Sequence, residues 1–216
     1  MHNAQIHGYL AVPQSGHGPG VLVLHAWWGL TGFFQDLCDR LAAQGFIAFA
    51  PDLYHGKTAA TVEQAKELRS GLSRTQATRE VVAAAEYLRG LDAVTGAGLG
   101  VIGFSLGANY ALGLSLDEPD MVRTVVVFYG ARAADYSRAR AAYLGHFAAT
   151  DEWVAASGVK KLEKSLRSAN RAVTFHVYEG TGHWFFEQDR PEAYNAEAAE
   201  LAWQRTVEFL RSTLAG

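Results

Sequence analysis

Short, uninterrupted apolar runs recur along this chain, and each is followed by a longer stretch in which apolar residues return every three or four positions. Val21-Leu22-Val23-Leu24-His25 follows the turn-rich Ser15-Gly16-His17-Gly18-Pro19-Gly20. Phe33 to Ala43 then carries Phe33, Phe34, Leu37, Cys38 and Leu41 at helical spacing, with Gly45 placed to end it. Phe46 to Ala50 is the next strand-like run, stopped by Pro51. Thr61 to Leu91 predicts one or two helices with a break at Ser70-Gly71, Leu99 to Phe104 a strand, and Leu106 to Leu116 a helix. Val122 to Tyr129 and Tyr143 to Ala149 predict strands, Ala155 to Ser168 a helix, and Ala172 to Tyr178 a strand. Pro191 to Leu214 predicts a long terminal helix with proline near its start, and Gln5 to Val12 a first, partly exposed strand. Near-continuous apolar strands alternating with helices predict an α/β protein with a mostly parallel, twisted sheet covered on both faces. With no internal repeat, low-complexity tract or linker, 216 residues predict one domain over 1–216.

Composition removes several classes of function. A chain with 49% hydrophobic and 19% charged residues is expected to fold as a globular protein. A net charge of −3 and no polybasic run provide no field for nucleic acid or an anionic membrane. One cysteine, Cys38, allows no internal disulfide and no cysteine-based zinc cluster; its apolar helical setting makes it a small core residue. Met1 to Gln5 lack the charged-then-apolar pattern of a secretory leader, and no apolar run approaches the roughly 20 residues of a membrane span, so a cytoplasmic location is expected.

The most informative stretch is Leu99-Gly100-Val101-Ile102-Gly103-Phe104-Ser105-Leu106-Gly107-Ala108-Asn109. A buried strand runs into Gly-x-Ser-x-Gly and a helical pattern begins at once, which is the arrangement of a nucleophile elbow. Side chains at Gly103 and Gly107 are expected to collide with neighbouring backbone, and the tight turn pushes the Ser105 hydroxyl outward. The bland alternative is a glycine-rich turn with an incidental serine. A serine hydroxyl needs a base and a group to orient that base. In α/β-hydrolases these follow the serine in the order acid, then histidine, on loops beyond later strands.

His176 falls inside a predicted strand, where it is fixed within the sheet, whereas His183 lies on the glycine-rich loop Glu179-Gly180-Thr181-Gly182-His183-Trp184. His183 is therefore the expected base, against the alternative of a surface loop histidine. Asp117, Asp120 and Asp135 lie in helix-end or loop contexts, while Asp151 follows directly on the strand Tyr143 to Ala149. Asp151 is the expected acid, its alternative role being a helix N-cap. The oxyanion donors are expected to be the Leu106 amide, at the start of the helix, and the Trp27 amide in His25-Ala26-Trp27-Trp28-Gly29-Leu30, taken to follow the third sheet strand. His25 either braces that loop or is a satisfied buried histidine.

With these pieces in place the chain resembles the dienelactone hydrolase family. The likeness runs in order through His25-Ala26-Trp27-Trp28-Gly29-Leu30, Gln44-Gly45-Phe46, Pro51-Asp52-Leu53-Tyr54, Gly103 to Gly107, Phe128-Tyr129-Gly130, Asp151-Glu152-Trp153-Val154 and Tyr178 to Phe185. It implies a minimal α/β-hydrolase without a cap domain. Three departures stand out. The family's namesake enzymes have cysteine where this chain has Ser105, and a thiol-activating glutamate where it has Ala26. They also place an arginine that holds the substrate carboxylate where this chain has Glu187, and a negative side chain there is expected to repel such a substrate.

Trp27, Trp28, Phe33, Phe34, Phe104, Tyr129, Trp153 and Trp184 fall on or beside these loops and are expected either to wall an apolar pocket or to belong to the core. The expected function is hydrolysis of a small-molecule ester or lactone through Ser105, His183 and Asp151, with no metal or organic cofactor required. The alternative is a hydrolase-fold protein that binds its ligand without turnover. Nothing in the sequence points to an oligomeric state.

Overall fold

The computed structural model describes residues 6–214. The N-terminal residues read above for a leader, 1–5, lie outside the described residues, as does the Gln5 start of the expected first strand. In chain order the elements are β1 (Gly8–Ala11), β2 (Gly18–Leu24), α1 (Gly32–Ala43), β3 (Ile47–Pro51), α2 (Val62–Gly71), α3 (Arg74–Arg89), β4 (Val94–Phe104), α4 (Leu106–Asp117), β5 (Val122–Phe128), β6 (Ala142–Ala148), α5 (Ala156–Ser168), β7 (Val173–Tyr178) and α6 (Ala196–Leu214).

The strands form one seven-stranded sheet in the order β1-β3-β2-β4-β5-β6-β7. β1 runs antiparallel to β3, and the other neighbours pair in parallel. One face of the sheet is packed by α1 and α6 through Phe34, Leu37, Cys38, Leu41, Ala202 and Leu210. The other is packed by α3, α4 and α5 through Val81, Leu88, Ala111, Leu112, Leu162 and Leu166. Cys38 is fully buried on α1, and burial pushes its thiol up to about 12, so it acts as a core residue and not as a nucleophile.

Three boundaries differ from the sequence expectation. β2 begins at Gly18 and β4 at Val94, because Gly18 and Pro19 pair with Val94 and Thr95 before the register shifts at Pro19/Val21. A Cβ at Gly18 would meet the Gly45 carbonyl, so glycine there extends the strand where the turn was expected. The terminal helix starts at Ala196, not Pro191, since Asn195 accepts the Ala198 amide at 3.0 Å through Oδ1 and caps the helix there. The loop carrying Trp27 follows β2, the second strand in chain order and the third across the sheet.

Because β2, β4, β6 and β7 all run parallel, their C-terminal ends open on one rim, which gathers residues from positions 25, 105, 151 and 183. The close approach of α4 to β2 at that rim depends on Gly107, where a Cβ would strike the Leu24 and His25 carbonyls. Gly107→Ala is expected to lower unfolding free energy by about 3 kcal/mol in urea titrations. Gly158→Ala, in α5 with open space around it, is expected instead to raise it by about 0.5 kcal/mol.

Candidate active site

β4 ends at Phe104 and α4 begins at Leu106, so the chain reverses from strand to helix through Ser105 alone. That residue has φ 48° and ψ −104°, a backbone that L-residues rarely adopt. The surroundings hold it there. The Ser105 amide donates to the Phe128 carbonyl at 3.0 Å, and its carbonyl accepts from the Ala108 amide at 3.2 Å. A Cβ at Gly103 would come within 2.5 Å of the Gly107 carbonyl oxygen, and one at Gly130 within 2.8 Å of the Ser105 carbonyl oxygen, so the elbow closes only with glycine at both.

His183 stands on the loop after β7, and its Nε2 lies 2.9 Å from Ser105 Oγ. Its Nδ1 lies 2.8 Å from Asp151 Oδ2 on the loop after β6. The two loops are stitched together by Ala149 N–H to the Tyr178 carbonyl (3.1 Å) and Thr150 N–H to the Thr181 carbonyl (3.2 Å). The other Asp151 oxygen, Oδ1, accepts the amides of Trp153 (2.8 Å) and Val154 (2.9 Å). Asp151 thus caps a turn ahead of α5 and orients His183 at once. The side chains of Asp151 and His183 are 7% and 3% exposed, so little water competes for this pair.

Trp27, Leu106, Trp153 and Trp184 border Ser105 and His183 in a cleft of about 300 Å³ that is also lined by Arg69 and Asn109. Leu106 opens α4, so its amide has no carbonyl four residues back within the helix and is free for a ligand. His25 meets both of its expectations. It is fully buried, donates through Nδ1 to the Ala26 carbonyl (2.6 Å) and accepts the Leu53 amide at Nε2 (3.2 Å), tying the Trp27 loop to the segment after β3. Burial lowers its pKa and keeps the ring neutral.

A comparison with known families matches residues 6–214 to the Dienelactone hydrolase family. The chain belongs to that family. "Protein usf" of Aquifex pyrophilus is 31% identical over 97% of this chain and 94% of its own length. A protein of Aquifex aeolicus (strain VF5) named "Putative carboxymethylenebutenolidase" is 30% identical over the same shares. Among solved structures, "Putative Dienelactone Hydrolase" from Klebsiella pneumoniae subsp. pneumoniae MGH 78578 superposes with a TM-score of 0.83 at 25% identity, covering 94% of this chain and 91% of that one. The architecture is the α/β-hydrolase fold.

Within this dienelactone hydrolase-family protein, five of the eight aromatics expected at the pocket or in the core lie away from the cleft. Phe104 and Phe33 are buried in the core beside Phe34, with Phe104 also stacked on Phe128 at 4.6 Å between ring centroids. Alternation along β4 turns Phe104 to the sheet face opposite α4. Trp28 is covered by the Arg190 guanidinium, 3.8 Å over its ring, and by Trp184. Tyr129 is fully buried, its ring tilted against that of His183 at 4.8 Å between centroids. Trp27, Trp153 and Trp184 do line the cleft, with Trp27 edge-on to Trp153 and stacked on Trp184, and Trp153 tilted against Trp184.

The expectation for Glu187 is overturned. It does not face the cleft but is fully buried, where it accepts the Tyr129 hydroxyl at 2.6 Å. Burial, reinforced by the nearby Asp189, pushes its carboxyl up to about 8, so near neutral pH it is mostly uncharged and repels nothing in the cleft. The sequence carried no sign of this pairing, nor of Arg69 and Asn109 at the cleft wall, because each depends on which helix or loop face meets the rim.

Between pH 4.5, the ordinary glutamate value, and about 8, the folded protein keeps a Glu187 proton that the unfolded chain releases. This group therefore makes stability fall as pH rises through that window. Glu187→Gln keeps the acceptor for Tyr129 and removes the titration. Its unfolding free energy, measured by urea titration at stepped pH, should decline less steeply by up to about 1.4 kcal/mol per pH unit.

Proposed function

We propose that this chain is a serine hydrolase that cleaves a small-molecule carboxylic ester or lactone through Ser105, His183 and Asp151. The observation that carries this reading is the unbroken relay from Asp151 through His183 to Ser105, with hydrogen bonds of 2.8 and 2.9 Å ending on a serine at φ 48°. The lactone branch draws support from the butenolidase name of the Aquifex aeolicus relative. The indoles of Trp27, Trp153 and Trp184 around the cleft suit an apolar or aromatic substrate.

With the Nδ1 proton directed at Asp151, His183 Nε2 faces the serine hydroxyl as a free base. It removes the hydroxyl proton as Oγ bonds to the substrate carbonyl carbon. The carbonyl oxygen becomes an oxyanion, for which the amides of Trp27 and Leu106 are the proposed donors. Collapse breaks the bond to the alcohol oxygen, which takes the proton from His183; in a lactone that hydroxyl stays tethered to the acyl part. Water, deprotonated by the same imidazole, attacks the acyl carbon, and Ser105 departs with its proton restored. No step calls for a metal or organic cofactor. Among the described residues, no helix is long and apolar enough to cross a membrane.

Ser105→Ala is expected to abolish turnover of 4-nitrophenyl acetate, and a fluorophosphonate probe is expected to label Ser105 in the wild-type protein. Folded protein that neither labels nor turns over ester would favour a binding role without catalysis. Asp151→Asn keeps an oxygen for the Trp153 and Val154 amides but removes the charge facing His183. Its kcat should fall by about 10⁴-fold with the fold intact by circular dichroism.

A further inference from the structure

Two hydrogen bonds hold the His183 imidazole, Nδ1 to Asp151 and Nε2 to Ser105, one at each side of the ring. Bonds so placed fix an axis but leave the ring free to roll about it. The in-plane bonding directions of the two nitrogens diverge from that axis, so a roll takes Nε2 out of line with the serine hydroxyl. Packing has to stop the roll. Two rings touch the imidazole: Trp184, its neighbour in the chain, at 4.9 Å and 82°, and Tyr129, at 4.8 Å and 57°.

Tyr129 comes from the end of β5, where its amide donates to the His146 carbonyl at 2.8 Å and its backbone stands at φ 37°. At the far end of its ring the hydroxyl donates to Glu187 Oε1 at 2.6 Å. Glu187 belongs to the same turn as His183, closed by the Phe185 amide on the Gly182 carbonyl (3.3 Å) and the Glu187 amide on the Trp184 carbonyl (2.9 Å). One short segment therefore grips Tyr129 twice, by the imidazole at its ring and by the carboxyl at its hydroxyl.

Packing alone gives no reason for a carboxyl at position 187. The side chain is fully buried, and its Oε2 has no hydrogen-bond partner among the described residues. Of the charged groups nearest it, Asp189 opposes ionisation, and Arg190 turns its fork to the Ala60 and Ala59 carbonyls and its face to Trp28. A methionine would fill the space without the cost of burying a polar group. What a hydrocarbon cannot do is accept the Tyr129 hydroxyl.

We propose that Glu187 is a positioning residue for hydrolysis: through the Tyr129 hydroxyl it fixes the ring that sets the tilt of the His183 imidazole, and so keeps Nε2 in line with Ser105. Glu187 touches neither the substrate nor the reacting atoms. The proposal rests on the serine-hydrolase reading above and adds a residue that the relay itself does not contain.

The test compares Glu187→Met, which cannot accept the hydroxyl, with Glu187→Gln, which can, and adds Tyr129→Phe, which removes only the hydroxyl. With 4-nitrophenyl acetate, Glu187→Met and Tyr129→Phe are each expected to lower kcat about tenfold with KM within about twofold of wild type. Labelling of Ser105 by the fluorophosphonate should slow by a similar factor. The double variant Tyr129→Phe with Glu187→Met should lose no more than either alone, since both cut the same link. Glu187→Gln should recover kcat to within about threefold of wild type. The low-field proton resonance of His183 Nδ1–H is expected to move in Tyr129→Phe and to stay in place in Glu187→Gln. Wild-type kcat in folded Glu187→Met, a loss as large in Glu187→Gln, or a loss that falls on KM overturns the positioning role. Should Glu187→Met fail to fold, Tyr129→Phe carries the test, and an unchanged kcat and His183 resonance there overturns the role. Folded wild-type protein inert toward every ester, with Ser105 unlabelled, instead overturns the hydrolase reading, while the His183 resonance still reports whether position 187 sets the imidazole.

Discussion

The site depends on a crossing of three backbone segments at the rim of the sheet. β2 and β4 pair with Leu24 opposite Gly103, and the first turn of α4 lays Gly107 on the carbonyls of Leu24 and His25. The chain can pass that point only without a side chain at 103 or 107, and it must turn from strand to helix within one residue. Ser105 absorbs the turn at φ 48°. Strain of this kind costs roughly 1–3 kcal/mol and persists only where the surroundings over-determine it. Here the Ser105 amide is tied to β5 through Phe128, and α4 buries Ala108, Ala111 and Leu112 against the sheet. The same crossing brings the Trp27 loop beside the elbow, because β2 and β4 are neighbours in the sheet.

A second constraint sets the position of His183. β6 and β7 pair through Ala148 opposite Tyr178, so the loops that follow start level with each other. Three residues on, the first loop reaches Asp151; five residues on, the second reaches His183. A buried carboxylate is costly unless its oxygens are occupied, and Asp151 occupies both, with two amides on Oδ1 and the imidazole on Oδ2. The turn at Trp153 and Val154 is what aims the carboxylate. Capping the turn and facing the His183 imidazole, which the sequence presents as alternatives for Asp151, are one arrangement in the folded chain.

Much of this was legible before folding was considered, and for a physical reason. Strand-to-helix alternation predicts the parallel sheet, parallel strands put their C-terminal loops on one rim, and that rim selects His183 over His176 and Asp151 over Asp135. What the sequence did not disclose is orientation within loops and packing between helices. Phe104 and Tyr129 flank motif residues, yet one turns to the core by strand alternation and the other is tilted against the histidine ring. Residue type and spacing are the same for an aromatic facing inward or outward, so only packing distinguishes them. The start of α6 was missed likewise: Pro191 suits a first helical turn, but the Asn195 side chain supplies the cap four residues later.

The distribution of charge around the cleft follows from the same separation between framework and loops. Position 187 sits where the Tyr129 hydroxyl waits inside the protein, and a glutamate there turns inward, takes that hydroxyl and gives up its charge. A side chain so placed holds the Tyr129 ring, which is tilted against that of His183, and does not face the cleft. The cation that borders the cleft, Arg69, comes from α2, away from the crossing at Gly103 and Gly107. The geometry at Ser105 is held by the backbone crossing, whereas Arg69 stands exposed on α2 outside it.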